Sequence, residues 1–159
     1  MFKQKIIKLA ASVLLVGLAG GLGSIFTSSA IPDWYVYLSK PAWNPPSWLF
    51  GPVWTGLYVL IGISWYLVWT KGERDPGFKR ASFIFGGQLI LNAAWSGIFF
   101  GLRNPLWALI EILILGLAII WTILEFYKIS RPAALLLAPY LAWVSFATFL
   151  NYTIWSLNR

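Results

Sequence analysis

The sequence contains no cysteine and no histidine, and its single methionine stands at position 1. Thiolate and imidazole groups supply most zinc and haem ligands in proteins, and cysteine is the most reactive side-chain nucleophile. Their absence argues against a zinc centre, against a haem ligated by the chain and against thiol catalysis. We therefore expect no metal site and no covalently bound cofactor.

Charge is also scarce, since only 11% of the 159 residues are charged, whereas a soluble domain has about 25%. Hydrophobic residues make up 59% of the chain and the mean hydropathy is +0.73. This composition predicts an integral membrane protein with the lipid bilayer as its first partner. The net charge of +7 does not indicate a nucleic-acid partner, because the basic residues lie at the ends of apolar runs, where they act as topology signals.

Five apolar runs are long enough to cross a bilayer, at about residues 9–26, 52–70, 81–102, 106–126 and 133–157. We predict an all-α fold in which residues 1–159 form one domain of five transmembrane helices. The first run follows a basic segment and also has features of a secretory signal peptide. Because it is longer than a usual signal-peptide core and contains Gly17-x-x-x-Gly21, a helix-packing pattern, we interpret it as the first transmembrane helix.

The stretch between the first two runs, which we call the Trp/Pro loop (residues 40–52), is rich in proline and tryptophan. It contains Pro41, Trp43, Pro45, Pro46, Trp48 and Pro52, and Trp54 follows it. Proline removes a backbone donor and fixes φ, so we expect the whole loop to lie outside helix interiors, with Pro52 in the first turn of the second helix. Large rings need packing partners. The loop is therefore predicted to be a structured lid or an anchor at the membrane interface.

Basic residues are distributed unevenly between the two sides of the predicted bundle. Nine lie on the side of the N-terminus, namely Lys3, Lys5, Lys8, Lys71, Arg74, Lys79, Arg80, Lys128 and Arg131, and three lie on the other, namely Lys40, Arg103 and Arg159. The positive-inside rule then predicts a cytoplasmic N-terminus. With five spans, the Trp/Pro loop and the C-terminus face outside.

Polar and aromatic residues share helix faces on three of the spans, and we expect residues 54, 95–99 and 143–151 to lie in the outer half of the bundle. On the third helix these are Asn92, Trp95, Ser96 and Phe99; on the fifth they are Tyr140, Trp143, Phe146, Ala147 and Asn151; on the second they are Trp54, Tyr58 and Trp65. An amide in hydrocarbon needs a partner, so the Asn92 face should point into the bundle. We predict an outward-opening, aromatic cavity for a large, flat, mostly apolar molecule. The alternative is that these rings belong to the interfacial aromatic belt, to which we assign Trp34, Trp43, Trp48, Trp69, Trp107 and Trp155.

Separated motifs along nearly the whole chain carry a family resemblance. They are Lys40-Pro41-x-Trp43-x-Pro45-Pro46, Phe50-x-Pro52-Val53-Trp54-x-x-Leu57-Tyr58, Leu91-Asn92-x-x-Trp95-Ser96, Asn104-Pro105 and Pro139-Tyr140-x-x-Trp143-x-x-Phe146-Ala147-x-x-Leu150-Asn151. With these motifs in this order, the chain resembles the tryptophan-rich sensory protein family, also called the translocator protein or peripheral benzodiazepine receptor family. The resemblance is to a bacterial-type member, which implies a bacterial cell membrane.

The resemblance implies a set of ligand-binding residues. In that family the positions matching Tyr35, Pro45, Trp54, Asn92, Trp95, Trp143 and Ala147 line a pocket for porphyrins and for benzodiazepine-type and isoquinoline ligands. The helix faces add Ser96, Phe99 and Phe146 to this set. Cholesterol binding is not expected, because Leu150-Asn151-Tyr152 is followed by a basic residue only at Arg159, which is too far for the sterol pattern.

Three functions are compatible with these features. The first is a receptor or sensor that binds tetrapyrroles such as protoporphyrin IX and could also transport them. The second, implied by the resemblance, is an enzyme that degrades bound porphyrin in a light- and oxygen-dependent reaction, with Trp54 and Trp143 as candidate residues and no conventional catalytic group. Porphyrin is then a ligand or a substrate. A plain channel or transporter is the third, but the spans show no charged pathway.

Two further features have open interpretations. Glu111, the one acid well inside a span, would either form a hydrogen bond to a neighbouring helix or act as a proton relay, which needs a partner. Small residues at Ala93-x-x-x-Gly97-x-x-x-Gly101 permit close helix approach. Since the family resemblance implies pairing through the third helix, we predict a homodimer centred on Gly97, with Gly17-x-x-x-Gly21 packing within the protomer. The alternative is that both motifs pack inside one protomer.

Overall fold

Six α-helices and two short helical turns make up the computed structural model, which describes residues 2–73 and 75–159. Helix α1 is Phe2–Asp33, α2 is Ser47–Gly72, α3 is Phe78–Ser96, α4 is Pro105–Ile129, α5 is Arg131–Leu136 and α6 is Ala138–Leu157. A 3-10 turn, Tyr35–Tyr37, follows α1, and a π-helical turn, Gly97–Gly101, extends α3. Arg74, counted above among the basic residues, lies outside the described residues.

Five of the described helical stretches are long and apolar enough to cross a membrane. They are Lys3–Asp33, Ser47–Gly72, Phe78–Gly101, Pro105–Ile129 and Arg131–Leu157, the last being α5 and α6 together. The prediction of an all-α, five-span membrane protein is thereby confirmed. We call the side with the N-terminus and the 73–77 turn the basic end, and the side with the connector at residues 34–46 the loop end.

The start of α2 corrects one prediction. We expected the chain up to Pro52 to lie outside helix interiors, but α2 begins at Ser47 and Pro52 lies in its second turn. The physical reason is that Pro46, with extended backbone angles, already ends the connector. Pro52 has no N–H to donate to the carbonyl of Trp48, four residues earlier, so α2 has one backbone hydrogen bond fewer in its second turn.

The connector is structured, as predicted. The Lys40 Nζ donates to the backbone carbonyls of Tyr35, Val36 and Leu38 at 2.8–3.2 Å. Asn158, at the end of α6, accepts from the Ser39 N–H and donates to the Ser39 carbonyl, both at 2.9 Å. These bonds join the connector to the last helix and hold it over the loop end.

The interior differs between the two halves of the bundle. Toward the basic end, Trp65 stacks on Phe85 with ring centroids 4.8 Å apart and packs against Phe126 at 6.1 Å. This part is a filled aromatic core. Glu125, which is buried near the same end, accepts from Arg80 at 2.6 Å and from Lys128 at 2.8 Å. Glu125 is therefore paired with one cation of its own helix and one from α3.

The small-residue motifs lie in places that the sequence did not predict. Gly17 and Gly21 are exposed, and a Cβ at either would meet nothing within 4 Å, so this motif does not pack a helix within the protomer as expected. Gly20 instead packs against the Tyr58 ring, and a Cβ at Gly62 would lie 2.8 Å from the Val13 Cα. The α1–α2 contact therefore uses the glycine faces next to the predicted one.

The third-helix motif faces the same protomer. A Cβ at Gly97 would lie 3.8 Å from the Phe26 ring of α1, and one at Gly101 would lie 2.9 Å from it. The alternative interpretation, in which both motifs pack within one protomer, is therefore met by the third-helix motif and not by Gly17 and Gly21. Phe26 itself is 45% exposed at this contact.

Candidate functional site

A cavity of about 520 Å³ occupies the loop-end half of the bundle. Its walls come from α1, the Tyr35 turn, α2, α3 with its π turn, and α6. This volume falls within the range of pockets that bind drug-sized ligands, about 300–1,000 Å³. Among the lining residues that the structure describes, none carries a charge. The cavity therefore suits a ligand whose buried part is apolar.

Most of the residues predicted to bind ligand lie on the wall of this cavity. They are Tyr35, Trp54, Trp95, Ser96, Phe99, Trp143 and Ala147. Three others lie elsewhere. Pro45 is in the connector, where its carbonyl accepts from the Asn44 side chain, Phe146 packs behind Trp143 with centroids 5.4 Å apart, and Asn92 is buried behind Tyr58. Trp65, which shares a predicted face with Trp54, belongs to the core at the basic end.

Aromatic rings pack on one another around the cavity. Trp54 stacks on Tyr58 with centroids 5.4 Å apart, and Trp95 stacks on Phe99 at 5.2 Å. Phe50, at the start of α2, meets Trp143 edge-on at 6.0 Å. Rings held in this way present flat apolar surfaces whose orientation is fixed by neighbours. They are suited to contact with a flat ligand.

Trp34, which was assigned to the interfacial belt, instead packs on Phe99 of the cavity wall, with ring centroids 5.6 Å apart. Trp43 stacks at 5.2 Å on Phe149, and both of these rings are exposed. Trp48 and Trp107 are exposed by 71% and 61%, as expected for rings in the interfacial belt.

Tyr35, which lies in the connector and on the cavity wall, donates from its hydroxyl to Asn44 Oδ1 at 3.0 Å. Burial raises the pKa of this phenol, which keeps it protonated.

A chain of hydrogen bonds runs from the cavity wall into the bundle. The Tyr58 hydroxyl donates to Asn92 Oδ1 at 2.9 Å, and Asn92 Nδ2 donates to the Tyr140 hydroxyl at 2.9 Å. Tyr140 in turn donates to Gln88 Oε1 at 3.0 Å. Each of these hydrogen bonds points away from the cavity. The lone pairs of the Tyr58 hydroxyl oxygen therefore remain available on the cavity side.

A second polar connection fixes Trp95. Its indole N–H donates to Asn151 Oδ1 at 3.1 Å, and Asn151 Nδ2 donates to the Pro105 carbonyl at 2.8 Å. The indole N–H of Trp143, by contrast, has no hydrogen-bond partner within the described part of the chain.

The hydrogen bond predicted for Glu111 is not formed. The side chain is 7% exposed, and neither carboxylate oxygen has a hydrogen-bond partner among residues 2–73 and 75–159. Helical spacing placed this acid inside the bundle but could not show whether a neighbouring helix offers a donor. Glu111 does not line the cavity.

The wall formed by α1 was missed from the sequence. Gly17, Gly21 and Ser24 line the cavity, together with Gly51 and Thr55 of α2, and all five are exposed. These small side chains carry no aromatic or polar signal, so the glycines were interpreted as helix-packing positions. Their presence at the cavity became apparent only from the position of α1 relative to α2.

The exposed lining residues mark an opening between α1 and α2. Toward the basic end the two helices touch, at Gly62 with Val13 and at Gly20 with Tyr58, and Gly17 lies between these contacts on the exposed side of α1. Nearer the loop end α1 packs on α3 instead, where Gly23 meets Ser96 and Phe26 meets Gly101. The two helices therefore diverge, and the cavity opens sideways, toward the surface that faces lipid.

Comparison with known proteins gives a consistent result. Residues 11–156 match the model of the TspO/MBR family. The chain is 48% identical over 155 residues to the Tryptophan-rich protein TspO of Archaeoglobus fulgidus, covering 98% of this chain and 99% of that protein. It is 43% identical over 142 residues to the Translocator protein of Homo sapiens, covering 87% and 82%. It is 34% identical over 139 residues to the Tryptophan-rich sensory protein of Cereibacter sphaeroides, covering 86% and 85%.

Proposed function

This chain belongs to the TspO/MBR family, which supports a membrane receptor or sensor role, and we propose that its ligand is a tetrapyrrole such as protoporphyrin IX. Benzodiazepine-type and isoquinoline molecules are further ligands in this proposal. The observation that carries it is the uncharged cavity of about 520 Å³ with stacked tryptophan and phenylalanine rings on its walls.

The chemistry of the walls supports a flat, mostly apolar guest. Rings of Trp54, Trp95 and Trp143 offer stacking or edge contacts, while the Tyr58 oxygen offers a hydrogen-bond acceptor. Carboxylates of a porphyrin would stay outside the uncharged interior, because burying an unpaired charge is costly. The ligand would then lie with its ring inside and its acidic groups at the opening.

The distribution of packing favours binding over transport. The cavity is confined to the loop-end half, and the core around Trp65, Phe85 and Phe126 fills the bundle toward the basic end. Passage across the bilayer would require these packed rings to separate. Uptake and release through the opening between α1 and α2 require no such change.

We expect Trp143→Ala to weaken protoporphyrin IX binding about tenfold, since a lost ring contact in a pocket costs on the order of 1–3 kcal/mol. Trp107→Ala is the matched control, because Trp107 is 61% exposed and does not line the cavity. Both variants are titrated with porphyrin by absorbance and by quenching of tryptophan fluorescence. Equal losses in the two variants would remove the support for this cavity as the binding site.

A second candidate function is the light- and oxygen-dependent degradation of the bound porphyrin. The specific observation in its favour is that Trp54 and Trp143 both lie on the cavity wall, where oxidisable indoles would contact the ring. Illumination of the purified protein with protoporphyrin IX under oxygen tests it. Conversion to a new bound pigment supports this reaction, and an unchanged Soret band despite tight binding rejects it.

The assembly in this proposal is a homodimer, with Ala93, Gly97 and Gly101 as the candidate contact. Such a contact requires the Phe26 ring, 45% exposed, to move away from Gly101. Light scattering in detergent tests this contact. We expect the wild type to be a dimer and Gly97→Leu to be a folded monomer. An unchanged mass would exclude this face.

The orientation in this proposal places the basic end in the cytoplasm of a bacterial cell and the connector outside. The support is the excess of basic residues at that end. Protease treatment of intact cells tests it, because only the connector side should be cleaved. Cleavage in the 73–77 turn would reverse the orientation.

A further inference from the structure

A second concave surface, separate from the cavity, lies between α4 and the α5–α6 pair. It is an open groove with a volume of about 480 Å³ and shares no lining residue with the cavity. Its walls include Ile123 and Tyr127 of α4, Ala134 of α5, and Ala138, Leu141 and Ala142 of α6. We call it the α4–α6 groove. It lies toward the basic end, because α4 ends there and α5 and α6 begin there.

The groove follows from two features of the sequence. Ala138 and Ala142 are spaced by four residues, so their small side chains lie on one face of α6, and Ala134 of α5 extends this lining. The helix is also broken at Leu137, between α5 and α6, with a proline in the first turn of each. Two lining side chains carry a hydroxyl, Tyr127 and Ser145, and the Ser145 hydroxyl donates to the Leu141 carbonyl at 2.8 Å. The other lining side chains are apolar.

A cation lies at the end of this apolar groove. The Arg131 guanidinium is 5.2 Å from the centroid of the Tyr127 ring, which is itself part of the lining. The neighbouring Lys128 is bound to Glu125 at 2.8 Å. Arg131 is exposed and forms no ion pair within the residues that the structure describes. Its guanidinium therefore has donors available for a planar or tetrahedral oxyanion.

We propose that the α4–α6 groove binds an anionic phospholipid, with its phosphate held by Arg131 and one acyl chain lying along the alanine face. Arg131 begins the fifth span, which places it at the depth of the headgroups, while the groove runs from it into the hydrocarbon region. Basic sites between transmembrane helices are suited to anionic headgroups. Tyr127 holds the guanidinium in place through its ring face.

A second copy of the chain fits this groove less well than a lipid. In a two-fold dimer whose axis is normal to the membrane, residues at the same depth face one another. Pairing through this groove would bring the Arg131 side chains of both copies together at the membrane interface, where like charges repel. An anionic phospholipid instead supplies the opposite charge at that depth.

Native mass spectrometry tests the proposal. The full chain is measured in detergent with either dioleoyl phosphatidylglycerol or dioleoyl phosphatidylcholine added. We expect phosphatidylglycerol to be retained in preference to phosphatidylcholine. Arg131→Gln should reduce phosphatidylglycerol retention about tenfold, as expected for loss of a charge-assisted hydrogen bond. Ala138→Leu, which fills the groove, should reduce it at least as much. Inorganic phosphate should not compete, because the acyl chain contributes to binding.

Two matched controls separate the groove from general effects. Lys79→Gln removes another exposed cation at the basic end, and Ala10→Leu enlarges another exposed alanine on a lipid-facing helix. Neither should change retention, and circular dichroism should show that all four variants are folded. Equal retention of the two lipids, or retention unaffected by both groove variants, would overturn the proposal. A change from dimer to monomer in Ala138→Leu would assign the groove to a second copy instead and also overturn it.

Discussion

Asn92 lies behind the cavity wall, where it accepts from Tyr58 and donates to Tyr140. Its position inside the bundle follows from its sequence, because an amide in an apolar span needs a polar partner. Its partners do not follow, since helical spacing describes one helix at a time and the two tyrosines come from α2 and α6. Asn92 therefore orients Tyr58, and we do not expect it to touch the ligand.

Replacement of Asn92 tests this role. Asn92→Ala leaves the Tyr58 and Tyr140 hydroxyls with one partner fewer each, and we expect it to lower the free energy of unfolding by about 1–2 kcal/mol. Thermal denaturation in detergent measures the change. Thr148→Ala is the control, because the Thr148 hydroxyl donates only to a carbonyl of its own helix. Equal effects of the two changes would contradict a special role for the Asn92 connections.

At the scale of helices, the sequence was sufficient to predict which segments span the membrane. It was less informative about where each helix begins and how the helices pack. Proline patterns placed the start of α2 at Pro52, yet the helix begins at Ser47, because the extended backbone of Pro46 already ends the connector. Glycine patterns identified small-residue faces on α1 and α3. They could not show which glycine meets which neighbour, because that depends on how each helix is rotated in the bundle.

The contact between α1 and α2 depends on the absence of a side chain at Gly62. A Cβ there would lie 2.8 Å from the Val13 Cα, so Gly62→Ala must push the helices apart. We expect a loss of about 1–3 kcal/mol in the free energy of unfolding, as for overpacking elsewhere. Gly116→Ala, where a Cβ meets nothing within 4 Å, should be neutral or slightly stabilising. Calorimetric scans that rank the two variants in the reverse order would contradict this packing.

The opening between α1 and α2 makes a kinetic prediction. Gly21→Phe places a ring at this exposed edge of the cavity, and we expect it to slow both association and release of protoporphyrin IX, with a smaller change in Kd. Stopped-flow fluorescence measures both rates. Gly86→Phe is the control, since Gly86 also has open space around it but does not line the cavity. Unchanged rates in Gly21→Phe would show that the ligand uses another path.

At the scale of the whole molecule, hydropathy and length were sufficient to predict five spans, because the bilayer sets the length of each apolar run. The aromatic faces of the second, third and fifth spans also indicated which half of the bundle holds the cavity. The contribution of α1 was not predictable in this way. Its lining residues are glycine and serine, and only the divergence of α1 from α2 brings them to the cavity.

The most direct test of the central claim, that the ligand occupies the cavity in the loop-end half, is to fill that cavity from within. Ala147 lines it on α6, and Ala147→Phe places a ring in its interior. The matched control is Ala10→Phe, which adds the same ring to an exposed position on α1 outside the cavity. In an absorbance titration with protoporphyrin IX, we expect Ala147→Phe to weaken binding by at least tenfold and Ala10→Phe to bind as wild type does. Wild-type affinity in a folded Ala147→Phe protein would contradict the account.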